Sequence, residues 1–114
     1  MESREALAVL FEYATEGILV TNGAGEIVKV NPAACKMFGY SPEELEGERI
    51  EVLVPRRVAT GHIHHRERFA KNPHARAMGI GIDLFGQKKD GTEFPVEISL
   101  SPFAEAGKKF VVAF

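Results

Sequence analysis

Four histidines, His62, His64, His65 and His74, fall within thirteen positions, and of all the side chains in this sequence they are the best suited to chemistry. Val58, His62, His65 and Phe69 follow one another at spacings of four, three and four, which places all four on one face of a helix. Two imidazoles therefore point where a valine and a phenylalanine point. In apolar surroundings a neutral imidazole offers one lone pair that can ligate an iron; the competing use of the same ring is an ordinary packed, hydrogen-bonded histidine. His62 and His65 could also share a zinc or copper ion, but no carboxylate or cysteine on that face completes the shell. Arg56, Arg57, Arg66, Arg68, Lys71 and Arg76 surround this segment with Glu67 as their one acidic neighbour. Such a patch reads as a solvated face or as a holder of an anionic group.

Other chemistry finds little support. Asp83, Asp90 and Glu97 fall at turns or sheet edges with no base at useful spacing, so no catalytic set is expected and the domain reads as a non-enzyme. Gly79-Ile80-Gly81 precedes a strand, whereas a phosphate-cradling glycine loop follows one and opens a helix. Cys35, the single cysteine, excludes an intrachain disulfide and reads as a small buried thiol in a reducing compartment.

The elements that must carry the histidine face follow from local signals. Leu7, Leu10, Phe11 and Ala14 form the apolar side of an N-terminal amphipathic helix over residues 1–14. Gly17 to Thr21 and Glu26 to Val30 read as strands joined by the turn Asn22-Gly23-Ala24-Gly25. Asn31-Pro32 then caps a short helix whose apolar positions are Ala33, Met37 and Phe38 and which closes at Gly39. Ser41-Pro42-Glu43-Glu44 is a capping box opening a second short helix. Pro55 to Ala70 is the helix that bears the histidines, ended by Asn72-Pro73. From Gly79 the period changes to two, with Ile80, Ile82 and Leu84 alternating against polar or outward positions. Lys89-Asp90-Gly91 turns into a strand from Phe94 to Leu100 that includes Ile98, and a last strand runs from Phe110 to Phe114. The order strand, strand, helices, three strands predicts an α+β fold: one five-stranded antiparallel sheet with short helices on one face.

Length and composition agree. A chain of 114 residues, 45% hydrophobic and 26% charged, suits one soluble domain, here residues 15–114, which stop inside the last strand. A net charge of -2 argues against a surface made to neutralise phosphates, so neither nucleic acid nor direct membrane contact is expected. The acidic N-terminus is unlike a signal peptide, and a cytoplasmic setting follows as the expectation.

The fragments Glu16-Gly17-Ile18, Asn31-Pro32-Ala33-Ala34, Phe38-Gly39-Tyr40-Ser41-Pro42-Glu43-Glu44-Leu45-Glu46-Gly47 and Lys89-Asp90-Gly91-Thr92-Glu93-Phe94-Pro95-Val96-Glu97 together resemble the PAS domain family over nearly the whole chain. That resemblance implies a sensory and dimerisation module inside a larger bacterial signalling protein, such as a histidine kinase or diguanylate cyclase, linked covalently to an output domain. Residues Pro55 to His62, then Arg68, Phe69 and Gly79-Ile80-Gly81, are similar in unbroken register to the haem-binding PAS domains of rhizobial oxygen-sensor kinases. There His62 matches the proximal haem ligand, and Arg68 or Arg76 could serve the propionates. Ile82 stands where that branch carries a gas-side arginine. Three readings follow: a sensor for an unknown small ligand or partner, lined by Val58, His62, His65, Phe69, Ile80, Ile82, Leu84, Ile98 and Leu100; a haem protein with His62 on the iron; and a ligand-free dimerisation module. The apolar face of the N-terminal helix is expected to make a homodimer contact, the alternative being capping of the domain's own sheet.

Overall fold

A computed structural model of the chain describes residues 3–58, 61, 63, 76–78 and 84–114. Helix α1 (Ser3–Tyr13) leads into strands β1 (Leu19–Asn22) and β2 (Ile27–Val30), followed by helices α2 (Pro32–Phe38) and α3 (Pro42–Leu45). Two 3₁₀ turns, Ile50–Leu53 and Arg56–Val58, precede β3 (Arg76–Met78), β4 (Leu84–Gln87), β5 (Glu93–Val96), β6 (Ile98–Glu105) and β7 (Lys108–Ala113). A five-stranded antiparallel sheet takes the order β2-β1-β7-β6-β3, and β4 pairs with β5 as a separate ribbon. The α+β architecture with a five-stranded sheet is as the sequence predicts.

Local chemistry sets the first half. Asn31 caps α2 through its side chain, which accepts from the Ala34 N–H, and Gly39 ends the helix at φ 80°, a left-handed conformation that glycine adopts without strain. Ser41 and Glu44 exchange side-chain and backbone bonds as a complete capping box on α3. The buried side of α2 is Ala34, Cys35 and Phe38, whereas Met37 is exposed and Ala33 only half-buried. The two helical turns of α2 are rotated from the expected face because Asn31 fixes their start. These residues join Leu19, Ile27, Val30, Leu45 and Leu53 in one apolar core. The free edge of β2 is covered by residues 47–50: the Ile27 N–H donates to the Glu48 carbonyl at 2.8 Å and the Gly47 N–H to the Ile27 carbonyl at 2.8 Å.

The second half departs from the reading in its strand boundaries. The expected strand from Phe94 to Leu100 is divided at Glu97 into β5 and β6, and β6 runs on through Pro102 to Glu105. Between the pairs Met78↔Ile98 and Leu84↔Val96 one chain advances six positions and the other two, so β3–β6 and β4–β5 cannot form one continuous ladder. The edge of the main sheet is accordingly Arg76–Met78, with β4 in the separate ribbon. Residues 59, 60, 62, 64–75 and 79–83 lie outside the described residues, and with them most of the expected Pro55 to Ala70 helix. Arg56–Val58 is a 3₁₀ turn, and Gly61 and Ile63 are helical.

Two outcomes test this fold. Asn31→Ala removes a buried amide that accepts from Ile18 and Ala34 and donates to Glu16, and is expected to cost about 2–4 kcal/mol in chemical denaturation. The two-residue connection between β6 and β7 holds Ala106 at φ 52° and Gly107 at φ 76°, the signature of a turn that favours Asn-Gly. Ala106→Asn should therefore stabilise by roughly 1 kcal/mol, read as a rise in Tm.

Candidate functional site

Cross-strand pairs define an inner floor. Leu19 pairs with Ala113, and Ala113 with Leu100, so these three share one face of the sheet across β1, β7 and β6. Leu19 is buried in the core, which makes this the inward face. Ile98, two residues from Leu100, lies on it too, and both are half-buried. Pro102 and Val111, which pair with each other, extend the same apolar floor.

Of the residues expected to line a site, Ile98 and Leu100 are thus brought together on the inner face. Leu84 is half-buried in the β4–β5 ribbon opposite Val96. Val58 ends the second 3₁₀ turn with its side chain 43% exposed. His62, His65, Phe69, Ile80 and Ile82 lie outside the described residues, as do Arg66, Arg68 and His74. Among the described residues no three His, Cys, Asp or Glu side chains gather as a metal site. Cys35 is a buried free thiol whose pKa is pushed up, first by burial and then by the charges of Glu43 and Glu46, so it is held as the unreactive thiol.

The ribbon that borders the floor is tied to the helical layer. Phe38 of α2 meets Phe94 of β5 edge to face, with centroids 5.2 Å apart. Gly86 makes room for that pair: a Cβ there would lie 2.8 Å from the Phe38 ring and 3.2 Å from the Phe94 ring. The Lys89 N–H donates to the Phe38 carbonyl at 2.9 Å, and its ammonium pairs with the Glu44 carboxylate of α3. These contacts join positions more than forty residues apart, and sequence reading missed them; the only local signal was the spacing of the turn Lys89-Asp90-Gly91. The Asp90 carboxyl is held below its usual range by hydrogen bonds from Thr92, first from its side chain and then from its backbone N–H, which donates at 2.9 Å.

An aromatic pair on the sheet's outer face was also missed. Phe103 and Phe110 stack on it at 5.2 Å between centroids and 18° between planes. The alternation in β6 and β7 carried this signal, because residues opposite the inward set must face away.

Comparison with known proteins agrees with this architecture. Residues 15–114 match the family described as PAS domain. The chain is 32% identical over 97 residues to the oxygen sensor protein DosP of Escherichia coli K12, covering 85% of this chain and 12% of that protein. It is 27% identical over 99 residues to the sensor protein FixL of Bradyrhizobium diazoefficiens, covering 87% of this chain and 20% of that one. The chain thus spans a small part of the length of both relatives. Among solved structures, the PAS domain of the HTR-like protein from Haloarcula marismortui superposes with a TM-score of 0.79 at 22% identity, covering 97% of this chain and 88% of that chain.

The Glu44 carboxyl is held below its ordinary value by the hydrogen bond from Lys89, then by its backbone bond at Ser41. A depressed carboxyl contributes stability above its unfolded pKa and loses it as pH falls through the folded value. Glu44→Gln should therefore lower stability at neutral pH, with the difference from wild type shrinking in acid, as measured by urea denaturation across the carboxylate range. With its capped helices, five-stranded antiparallel sheet and a family match spanning residues 15–114, the chain belongs to the PAS domain family.

Proposed function

We propose that this is a non-catalytic sensory and dimerisation domain of a larger bacterial signalling protein, of histidine kinase or diguanylate cyclase type, that relays occupancy of its interior to a linked output domain. The observation that carries this reading is the row Leu19, Ala113, Leu100. It sets a floor residue on β6 beside the last strand and one strand further from the start of β1, to which α1 leads. A ligand or partner that favours one packing of the floor biases both chain ends, and it can do so only to the extent that it binds that packing better. Val58, His62, His65, Phe69, Ile80, Ile82 and Leu84 are the remaining proposed lining. The domain is further read as a homodimer joined through α1.

The second reading, haem held by His62, is favoured by the similarity to an oxygen sensor protein. The half-buried apolar floor of Ile98 and Leu100 suits a flat apolar macrocycle. When bound, haem would supply an iron that takes a diatomic gas or changes redox state. This chain's part is to offer the imidazole, an apolar wall and basic side chains for the propionates. Ile82 offers no hydrogen bond to bound gas, so gas preference would differ from that of the branch carrying arginine there.

Because the chain has no tryptophan, Leu100→Trp adds a single reporter on the floor. Blue-shifted emission is expected from a sequestered indole; emission like that of free indole in water would remove the interior site. Hemin added to this variant should give a Soret band and quench the indole, with both effects lost in the His62→Ala background. No Soret band with His62 intact would remove the haem reading.

A further inference from the structure

The chain has three asparagines, and two of them, Asn31 and Asn72, precede prolines, whose nitrogen carries no proton. The third, Asn22, precedes Gly23. An asparagine loses its side-chain amide when the backbone nitrogen of the next residue closes on its Cγ, and a following glycine, with no Cβ, leaves that approach open. Asn22 alone meets both conditions.

The fold gives no other reason for this glycine. In the turn Asn22-Gly23-Ala24-Gly25 the left-handed residue is Gly25, at φ 78°. Gly23 has no positive φ, and a Cβ there would lie 3.9 Å from the Lys109 carbonyl oxygen, an ordinary contact. Gly23 is exposed, and its N–H has no acceptor among the described residues. Asp90-Gly91, the one aspartate-glycine pair in the sequence, is built the other way. Gly91 sits at φ 90°, where its turn needs a glycine, and its N–H is donated to the Lys88 carbonyl at 2.9 Å.

The Asn22 amide is held in place. Its Oδ1 accepts from the Ala24 and Glu26 N–H groups, each at 3.0 Å, and its Nδ2 donates to the Glu26 carboxylate at 3.0 Å. Asn22 also ends β1, paired with Phe110 of β7, so its backbone is extended. Closing a five-membered ring requires rotation about the Asn22 Cα–C bond to bring the Gly23 nitrogen round to Cγ, a rotation that leaves the extended region.

We propose that Asn22 is a self-deamidation site that reacts when the β1–β2 turn opens, with Glu26 as its local brake. In the opened turn the Gly23 nitrogen gives its proton to solvent hydroxide and forms a bond to Cγ of Asn22. The Cγ–Nδ2 bond breaks, and the nitrogen takes a proton from water and leaves as ammonia. Water then adds to one of the two carbonyls of the cyclic imide and reopens it, to aspartate or, when the main-chain carbonyl is attacked, to isoaspartate. One water is consumed, one ammonia is released, and nothing is oxidised or reduced. The new carboxylate replaces an amide that donated to Glu26, so like charges meet there, and isoaspartate puts an extra carbon into the backbone at the Asn22↔Phe110 pair. The modification therefore weakens the end of the β1–β7 pairing.

The test incubates the folded full chain in mildly alkaline water enriched in oxygen-18, followed by acid proteolysis and mass spectrometry of the peptides. Imide reopening takes up solvent oxygen, so the label reports reaction at Asn22 and at Asp90 alike. Label is expected at Asn22 and not at Asp90. Gly23→Ala should slow labelling roughly tenfold or more while circular dichroism shows the fold unchanged. Glu26→Ala should speed it severalfold at Asn22 alone. A folded chain that takes up no label at Asn22 overturns the proposal, as does label at Asp90 to the same extent. An unchanged rate in Glu26→Ala, or a rise matched at Asp90, overturns the brake.

Discussion

The fold depends first on the side chain of Asn31. It is fully buried, and its amide joins three separate stretches of chain: it accepts from the N–H groups of Ile18 at 2.8 Å and Ala34 at 3.0 Å and donates to the Glu16 carbonyl at 2.9 Å. Its backbone also binds Ile18, so one residue ends β2, begins α2 and positions the lead into β1. Aspartate could keep the two accepted bonds but would turn a carboxylate oxygen toward a carbonyl; serine is too short to span the same groups. Gly17 completes the junction, because a Cβ there would come within 3.2 Å of Ala34. Since β1 pairs with β7 throughout its length, the position that Asn31 gives β1 is passed to the last strand.

Burial is uneven across the molecule. Among the described residues, the buried apolar ones that form the core run from Leu19 to Leu53, on β1, β2, α2, α3 and the first 3₁₀ turn. By contrast, β6 and β7 carry half-buried or exposed positions along their length. Local stability follows buried apolar contact, and among the described residues the larger share of that contact lies in the first half and the smaller in the β6–β7 hairpin. A sensory domain needs that division: a floor strand able to shift must rest against a frame that does not.

Features set by neighbours in sequence were legible. The Asn31-Pro32 start, the Ser41 to Glu44 capping box, the Gly39 and Gly91 turns and the alternating strands each depend on side chains a few residues apart. What was hidden depends on distant partners. Nothing near Asn31 in sequence reveals its bonds to Glu16 and Ile18, and nothing near Lys89 reveals Glu44. The inner face of α2 was misread because the apolar residues Ala33 to Phe38 are nearly continuous apart from Lys36, leaving the cap to decide which side faces in. The strand expected to end at Leu100 runs on through Pro102, which sits inside β6 opposite Val111 and beyond the stretch Ile98 to Leu100 that pairs with β3, where its missing N–H interrupts no ladder on that side. Of the proposed site, Ile98 and Leu100 were legible from period-two alternation alone, which is why their shared face holds even though β6 runs further than expected. The histidine face lies outside the described residues and stays an expectation from spacing and resemblance.

The division at Glu97 has a mechanical meaning. On one side of it, β5 is fastened to α2 and α3 through Phe94, Gly86 and the Lys89 turn. On the other, β6 belongs to the main sheet, with β7 next to it and β1 beyond. The two registers are incompatible as one ladder, so strain entering the floor at Ile98 or Leu100 need not spread along the strand into the fastened ribbon. It is instead shared across the sheet through continuous hydrogen-bonded pairing, from β6 to β7 and on to β1. The outer face of those same strands holds Phe103, Phe110 and Val112. A change in sheet curvature felt at the floor is therefore felt at these outward side chains as well.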